Sequence, residues 1–342
     1  MISLTSIITA VIGFFVVYIA GFFVIPYLKQ LNFGQTIREE GPKWHQSKQG
    51  TPTMGGIMII LGVIVAVGVG VIYSLAVKHD LSRELQMSTK LIRWLAALGL
   101  ALGMGVIGFA DDYIKVVKKR NLGLTARQKT FAQLFVTAVY LLVLLFFGDM
   151  HTTYIPFIGD VSTVTGVGVI FWPIALFFVY GFVNAVNLTD GVDGLASSVT
   201  LVVCCAFMVL GNNTNHLGAN ALASAGAGAC VGFAMWNAHP AKVFMGDTGS
   251  LFLGGLVVGL SFAVNMPILL IPAGIIYLAE ALSVVIQVAY FKRTKKRIFK
   301  MTPIHHHFEM CNWSEEKIVL VFSLVTFAGC ILAVLPVILR TI

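Results

Sequence analysis

Five aspartates occur in three short polar segments of a chain that has only 15 Asp and Glu among its 342 residues. Asp111 and Asp112 lie in the segment FADDYIK, Asp190 and Asp193 lie in NLTDGVDG, and Asp247 lies in VFMGDTGS. Each segment borders a long apolar stretch. Carboxylates gathered at one place repel one another unless a cation lies among them, and Mg2+ prefers oxygen ligands of this kind. We therefore predict that the aspartates line a Mg2+ site.

A Mg2+ site built from carboxylates indicates phosphate chemistry. Such a metal typically also binds substrate phosphates, neutralises the charge that develops on the leaving phosphate and aligns the attacking group with it. The glycines beside three of the aspartates permit tight turns and a close approach of the backbone to a phosphate. The alternative is that each aspartate caps a helix or pairs with a nearby Lys or Arg. That alternative explains one aspartate but gives no reason for five to gather on one face.

Two further polar segments precede predicted helices. The segment SKQGTPTMGG contains Lys48 and Thr53, and it places a cation, hydroxyl groups and backbone N–H groups at a helix start, which suits an anion. An ordinary capped turn is the alternative there. The loop NLGLTARQK, residues 121–129, is basic, and either phosphate contacts or membrane orientation would explain its charge.

The segment PIHHHFE contains three consecutive histidines, His305, His306 and His307. Neighbouring residues of a helix or strand point in different directions, so the triplet is a weak pattern for a Zn2+ site. Hydrogen bonds to a phosphate, a structural role at the edge of the site and a chance polar cluster all remain open.

The composition places these segments in a membrane protein. The chain is 58% hydrophobic and 11% charged, whereas a soluble domain carries about 25% charged residues. So few charges cannot cover a water-facing surface, which means that the outer surface faces lipid. We predict an all-α polytopic membrane protein, folded as a single helical domain over residues 1–342.

A helix needs about 20 apolar residues to span a bilayer. Ten stretches are candidates, and the seventh and eighth are the weakest because they are short and rich in Gly and Ala. The segment from Tyr154 to Val161, between the fourth and fifth stretches, predicts a small hairpin on the outer side. The candidate spans are residues 4–28, 54–77, 91–110, 131–147, 168–186, 195–211, 219–236, 250–265, 267–290 and 317–339.

The basic residues predict the orientation of these spans. Most of the 23 Lys and Arg fall in the loops after spans 1, 3, 7 and 9, and such loops face the cytoplasm. Both termini are then outside, and all five aspartates lie at the cytoplasmic end. The net charge of +8 suits anionic lipid headgroups and phosphorylated substrates better than nucleic acid, which we do not expect as a partner.

The motifs GTPTMGG, FADDYIK, NAVNLTDGVDGLA, VFMGDTGSLFLGG and PIHHHFE follow one another from Gly50 to Glu309. With these motifs the chain closely resembles the phospho-N-acetylmuramoyl-pentapeptide transferase family of the polyprenyl-phosphate N-acetylhexosamine-1-phosphate transferase superfamily. The resemblance implies a Mg2+-dependent enzyme of the bacterial inner membrane, and a homodimer. Its substrates would be UDP-N-acetylmuramoyl-pentapeptide and undecaprenyl phosphate, and its products lipid I and UMP.

The resemblance also implies roles for individual residues. Asp247 would bind Mg2+, with Asn187 as a further candidate ligand, and Asp111 would act as the base with support from Asp112. Phe244 would stack on uracil. The three histidines would lie near the phosphates. The residues expected to bind substrate are Lys48, Thr53, Asn187, Asp190, Asp193, Phe244 and Gln287.

Other functions remain open on the sequence alone. A transferase of N-acetylglucosamine-1-phosphate to the same lipid would share the aspartate motifs but should lack the three histidines. An ion-coupled transporter would also have many spans and intramembrane acids, but transporters bind near the bilayer midplane. Here only Glu280 lies well inside a span, where it would pack on polar neighbours or line a lipid groove.

Overall fold

The computed structural model describes residues 3–31, 48, 50–77, 88–117 and 123–341. Long apolar runs form helices because a bilayer offers no hydrogen-bond partners, so that each helix must satisfy its own backbone. The helices are α1 (Leu4–Gln30), α2 (Gly56–Val77), α3 (Ser88–Val117), α4 (Ala126–Phe146), α5 (Phe171–Thr189), α6 (Leu195–Asn213), α7 (Leu217–Asn237), α8 (Gly246–Ala263), α9 (Leu270–Ala273), α10 (Ile275–Thr294), α11 (Ile304–Glu309) and α12 (Glu315–Thr341).

Ten of the described helices are long and apolar enough to cross a membrane. This confirms the predicted all-α polytopic membrane protein with about ten spans. The spans that looked weakest in sequence, α7 and α8, form the centre of the bundle, with 83% and 89% of their most apolar windows buried. α7 packs against α1 and α6, and α8 packs against α3 and α5. Small residues replace large apolar ones there because the neighbouring backbones lie so close.

Beyond shifts of a few residues at many helix ends, three differences from the predicted spans change the description of the chain, and two of them place acids within helices. α3 continues past Asp111 and Asp112 to Val117, and α8 begins at Gly246, so that Asp247 lies in its first turn. The predicted span 267–290 is interrupted. Residues Pro267–Leu269 form a 3-10 turn, α9 is short, and α10 begins only after Gly274. Proline lacks the N–H that a continuous helix requires, which explains the interruption.

A small antiparallel hairpin joins α4 to α5, as predicted. Strand β1 (Thr152–Ile155) pairs with β2 (Gly159–Ser162), and Tyr154 lies opposite Asp160. Phe157 at the tip has a positive φ and is 92% exposed. The hairpin lies at the end of the bundle opposite the five aspartates, since it follows the last turn of α4.

The packing of α1 on α7 generates a prediction about Gly228. A Cβ at this glycine would lie 1.9 Å from the carbonyl oxygen of Ala10, a backbone atom that cannot move alone. We expect Gly228→Ala to lower the free energy of unfolding by about 1–3 kcal/mol, measured by thermal unfolding in detergent. Gly181→Ala is the control, because a Cβ there meets no atom within 4 Å. Equal melting temperatures for the two variants would contradict this packing.

Candidate active site

The carboxylate of Asp112 joins the end of α3 to the start of α8. It accepts hydrogen bonds from the backbone N–H of Asp247 at 3.2 Å and of Thr248 at 2.8 Å, and from the Thr248 hydroxyl at 2.7 Å. The first N–H groups of a helix have no partners within that helix. Asp112 therefore caps α8 from a neighbouring helix and fixes the position of the Asp247 backbone.

Two lysines lie against the aspartates at this junction. The Lys115 ammonium is 2.5 Å from Asp111 Oδ2 and 2.8 Å from Asp247 Oδ2. The Lys129 ammonium is 3.0 Å from the same oxygen of Asp247. The other oxygen of Asp111 accepts from the backbone N–H of Leu124 at 2.8 Å. The two carboxylates thus face each other across an ammonium group, with a second ammonium beside them.

Asn187, near the end of α5, binds Asp247 from a third helix. Its amide nitrogen donates to Asp247 Oδ1 at 2.8 Å and to the Ser250 hydroxyl at 2.7 Å. Each of the two carboxylate oxygens of Asp247 thereby has a hydrogen-bond donor, which fixes the orientation of the carboxylate. We call Asp111, Asp112, Asp247, Lys115 and Lys129 the α3–α8 group.

The α3–α8 group has the donors that a hard divalent cation requires. One carboxylate oxygen from each of Asp111, Asp112 and Asp247 lies within 4.8 Å of the others. Mg2+ is usually held by one or two carboxylates together with substrate phosphates and water. Asp111 and Asp247 are the better candidates to hold the ion, because the Lys115 ammonium that joins them can be displaced by a cation, whereas Asp112 is bound by backbone N–H groups of α8.

A second polar group surrounds Asp193. The Lys48 ammonium lies 2.7 Å from Asp193 Oδ1 and 2.7 Å from Glu315 Oε2. His239 Nδ1 lies 3.0 Å from Asp193 Oδ2, and the backbone N–H of Ala241 donates to the same oxygen at 3.1 Å. Burial lowers the pKa of Lys48, but the hydrogen bonds to the two carboxylates outweigh it and raise the pKa above its usual value. Lys48 is therefore a firmly charged group.

Asp190 lies between the two groups. Its carboxyl is on the turn that connects α5 to α6, three residues before Asp193. Burial raises the pKa of Asp190 well above its usual value, and the nearby carboxylates of Asp247 and Asp112 raise it further. An approaching cation would reverse this effect, because it favours the ionised carboxylate.

The segment that contains Thr53 is bound to the segment before α8 through its backbone. Gly55 N–H donates to Phe244 O at 2.9 Å, and Phe244 N–H donates to Pro52 O at 2.8 Å. A Cβ at Gly246 would lie 2.5 Å from an Asp112 oxygen and 2.9 Å from the Thr53 hydroxyl. Thr53 is thus next to the α3–α8 group, and Phe244, whose side chain is half-buried, lies on the adjoining backbone.

Known proteins resemble this chain over almost its whole length. Residues 94–265 match the profile of glycosyl transferase family 4, and residues 48–60 match signature 1 of phospho-N-acetylmuramoyl-pentapeptide-transferase. The Clostridioides difficile (strain 630) phospho-N-acetylmuramoyl-pentapeptide-transferase is 44% identical over 324 residues, which cover 93% of each chain. The chain belongs to this transferase family. The relative from Bacillus subtilis (strain 168) is 44% identical and covers 96% of each chain, and the one from Desulforamulus reducens is 45% identical and covers 92% of this chain.

The matched regions contain the whole α3–α8 group and all of the second group except Glu315. The signature at residues 48–60 includes Lys48 and Thr53, and the longer match includes all five aspartates. Segment PIHHHFE lies outside both matches, on the short helix α11.

The three histidines of this family member have three different sets of partners. His305 Nδ1 lies 3.0 Å from Glu280 Oε2, and His306 Nδ1 lies 2.5 Å from Glu309 Oε2. His307 Nδ1 accepts from the backbone N–H of Lys300 at 3.1 Å. The expectation that consecutive histidines do not face one ion agrees with these bonds. The sequence left two alternatives for Glu280, packing on polar neighbours or lining a lipid groove. The structure shows the first, because Glu280 contacts His305.

Gln287 also has partners of its own. Its side-chain oxygen accepts from the backbone N–H groups of Ile298 and Phe299, at 3.0 and 3.1 Å. These bonds direct the amide to the loop after α10, whereas the resemblance implied a contact with the nucleoside.

Sequence reasoning missed several residues of the two groups. Lys115 follows Asp111 by four residues within FADDYIK, and residues four apart lie on the same face of a helix. This spacing could have predicted their ion pair from the sequence. Lys129 lay in a loop already noted as basic. His239 and Glu315 had no local signal, because only the tertiary fold brings them to Asp193.

The cap formed by Asp112 generates a prediction about Thr248, which is fully buried. Thr248→Val keeps the shape but removes the hydroxyl that donates to Asp112, whereas Thr248→Ser keeps it. Because this bond reaches a charged acceptor, its loss should cost about 1.5–3 kcal/mol. Thermal unfolding in detergent should therefore rank wild type and Thr248→Ser above Thr248→Val. If the Ser and Val variants unfolded at the same temperature, the hydroxyl would have no such role.

Proposed function

We propose that the chain transfers phospho-N-acetylmuramoyl-pentapeptide from its UDP carrier to undecaprenyl phosphate, releasing UMP and forming lipid I. Membership of the transferase family supports this, and the rival transfer of N-acetylglucosamine-1-phosphate is not favoured by it. The observation that carries the proposal is the α3–α8 group, in which carboxylates and ammonium groups meet at the ends of membrane-spanning helices. A lipid phosphate and a soluble nucleotide can both reach such a place.

We infer that the reaction takes place at the cytoplasmic face of the bacterial inner membrane, with both termini outside. Among the described residues, the end of the bundle that contains the aspartates also contains four basic residues near helix ends. These are Lys115, Lys129, Lys292 and Arg293. Cytoplasmic loops are enriched in Lys and Arg, which supports this orientation. A homodimer is proposed on the family resemblance alone.

We propose Mg2+ as the cofactor, held by Asp111 and Asp247, with Asn187 orienting Asp247. The oxygen donors of this pair fit a hard cation. When bound, Mg2+ would neutralise charge on the pyrophosphate of the donor and align the two reacting phosphates.

The residues of the chain would then position the lipid phosphate and the donor. Lys115 and Lys129, which neutralise Asp247 in this structure, would hold phosphate oxygens once substrate enters. Asp111 would orient the lipid phosphate rather than take its proton, because a carboxylate that holds Mg2+ is a weak base. An oxygen of that phosphate forms a bond to the sugar-linked phosphorus, and the bond to the bridging oxygen breaks, leaving UMP. We propose this direct attack because the acceptor is already anionic.

The second group would bind the nucleotide. Lys48 and Asp193 offer a cation and a carboxylate side by side, and Phe244 offers a half-buried ring for stacking on uracil. Asp190 connects this group to the reacting phosphates. His306 and His307 would lie at the edge of the site, and we place Gln287 in support of the neighbouring loop because its oxygen is bound there.

The proposed reaction is tested by UMP release from the purified protein in detergent. We expect release with undecaprenyl phosphate and UDP-N-acetylmuramoyl-pentapeptide, loss of release with excess EDTA and recovery with Mg2+. UDP-N-acetylglucosamine in a parallel reaction should give no UMP. Release from that sugar alone would contradict the proposed substrate, and uptake of substrate into liposomes without product would favour a transporter.

The same assay tests the roles of two carboxylates. Asp247→Asn should lower kcat by about 1,000-fold, equivalent to roughly 4 kcal/mol, because it removes a charged metal ligand. Asp111→Asn should also lower it strongly. The control is Asp160→Asn, since Asp160 is exposed on the distant hairpin and should have no effect. Near-normal turnover by a folded Asp247→Asn protein would show that the site lies elsewhere.

A further inference from the structure

Glu280 and His305 form a hydrogen-bonded pair inside the protein. Glu280 is on α10 and His305 is on the first turn of α11. The carboxylate oxygen Oε2 lies 3.0 Å from the ring nitrogen Nδ1 and 3.4 Å from the backbone N–H of His305. Glu280 thus fixes both the ring of His305 and the start of the short helix that contains the other two histidines.

This pair is costly for a membrane protein to maintain. The exposed fractions of the two side chains are 0% for Glu280 and 1% for His305. Among the described residues, neither Glu280 Oε1 nor His305 Nε2 has a hydrogen-bond partner. Buried polar atoms without partners cost free energy, and acids inside membrane spans are retained mainly where function requires them.

The free edge of the His305 ring lies against the turn between the two polar groups. A Cβ at Gly191 would lie 2.2 Å from His305 Nε2, and the three atoms nearest to it all belong to this ring. Gly191 follows Asp190 directly and precedes Asp193 by two residues. Any displacement of the ring would therefore be transmitted to the turn that places both aspartates.

Burial also limits what His305 can do. A side chain that is 1% exposed and covered by the Gly191 backbone cannot contact a phosphate unless the turn moves away. We propose that Glu280 and His305 are a pair of positioning residues that support the turn 190–193 from inside the protein. His305 then contributes to the reaction through this turn, in contrast to the role beside the phosphates that its sequence motif implied.

The inference rests on the proposed transfer reaction for its kinetic test only. It predicts that disturbing the pair raises KM for the nucleotide substrate and lowers kcat, because the turn carries Asp193 on one side and Asp190 on the other. KM for undecaprenyl phosphate should stay unchanged. Loss of activity of about 10–100-fold is typical when a group that orients a functional residue is removed.

The decisive experiment combines Gly191→Ala with His305→Asn. The backbone of Gly191 is not left-handed, so an alanine there is strained only by the His305 ring. Asparagine places an amide N–H where His305 has Nδ1, keeps the bond to Glu280, and leaves room where Nε2 was. We expect each single variant to lose about 10–100-fold in kcat/KM for the nucleotide substrate, and the double variant to recover about tenfold or more.

The double variant lacks the imidazole, so recovery is possible only if His305 acts by position. If Nε2 contacts the substrate, the double variant will be as inactive as His305→Asn, and the proposal is wrong. Glu280→Gln, which keeps an acceptor oxygen, should lose less activity than Glu280→Ala. Equal losses would contradict a positioning role that depends on this hydrogen bond.

Thermal unfolding provides a readout that does not depend on the reaction. Gly191→Ala should lower the melting temperature, and adding His305→Asn should raise it again. Should wild type release no UMP, the proposed function fails while this comparison still tests the pair. A melting temperature of the double variant at or below that of Gly191→Ala would show that the ring does not support the turn.

Discussion

The hydrogen bonds from the first turn of α8 to Asp112 are the interaction on which the rest of the site depends. They require α3 and α8 to approach very closely, and glycine makes this possible, because a Cβ at Gly108 would lie 2.1 Å from the carbonyl oxygen of Asp247. The N–H groups at a helix start would otherwise be unsatisfied in an apolar surrounding. One buried carboxylate thereby serves both structure and function: it satisfies α8 and places Asp247 opposite Asp111.

The second constraint is electrostatic. Acids at the edge of a bilayer are costly unless they are paired with cations. The α3–α8 group contains two lysines, Lys115 and Lys129, and the group around Asp193 contains Lys48. These lysines compensate the carboxylates in this structure, and in the proposed reaction they would transfer their bonds to phosphates when substrate binds. The turn 190–193 joins the two groups, and the buried ring of His305, bound to Glu280, packs against this turn at Gly191. In the proposed reaction, nucleotide binding and phosphate chemistry would therefore be linked through these residues.

The sequence predicted the features that depend on local pattern. Ten spans followed from hydropathy, the hairpin from its turn residues, and the gathering of aspartates from their positions at span ends. It did not predict that Gly- and Ala-rich α7 and α8 occupy the centre, because close helix packing is a property of pairs of helices. The cap formed by Asp112 and the contact between Lys48 and Glu315, 267 residues apart, were also out of reach. For Gln287 the resemblance implied a nucleoside contact, and the structure adds that its side-chain oxygen accepts hydrogen bonds from the loop after α10.

The central proposal is that Asp111 and Asp247 hold a catalytic Mg2+, and locating a divalent ion tests it most directly. Mn2+ can replace Mg2+ at oxygen sites and gives an anomalous X-ray signal. Crystals grown with Mn2+ and UMP should show one peak between Asp111 and Asp247, with the Lys115 ammonium displaced from its present position between them. A peak at Asp193, His239 and Glu315 instead, the other group of possible ligands among the described residues, would contradict the account.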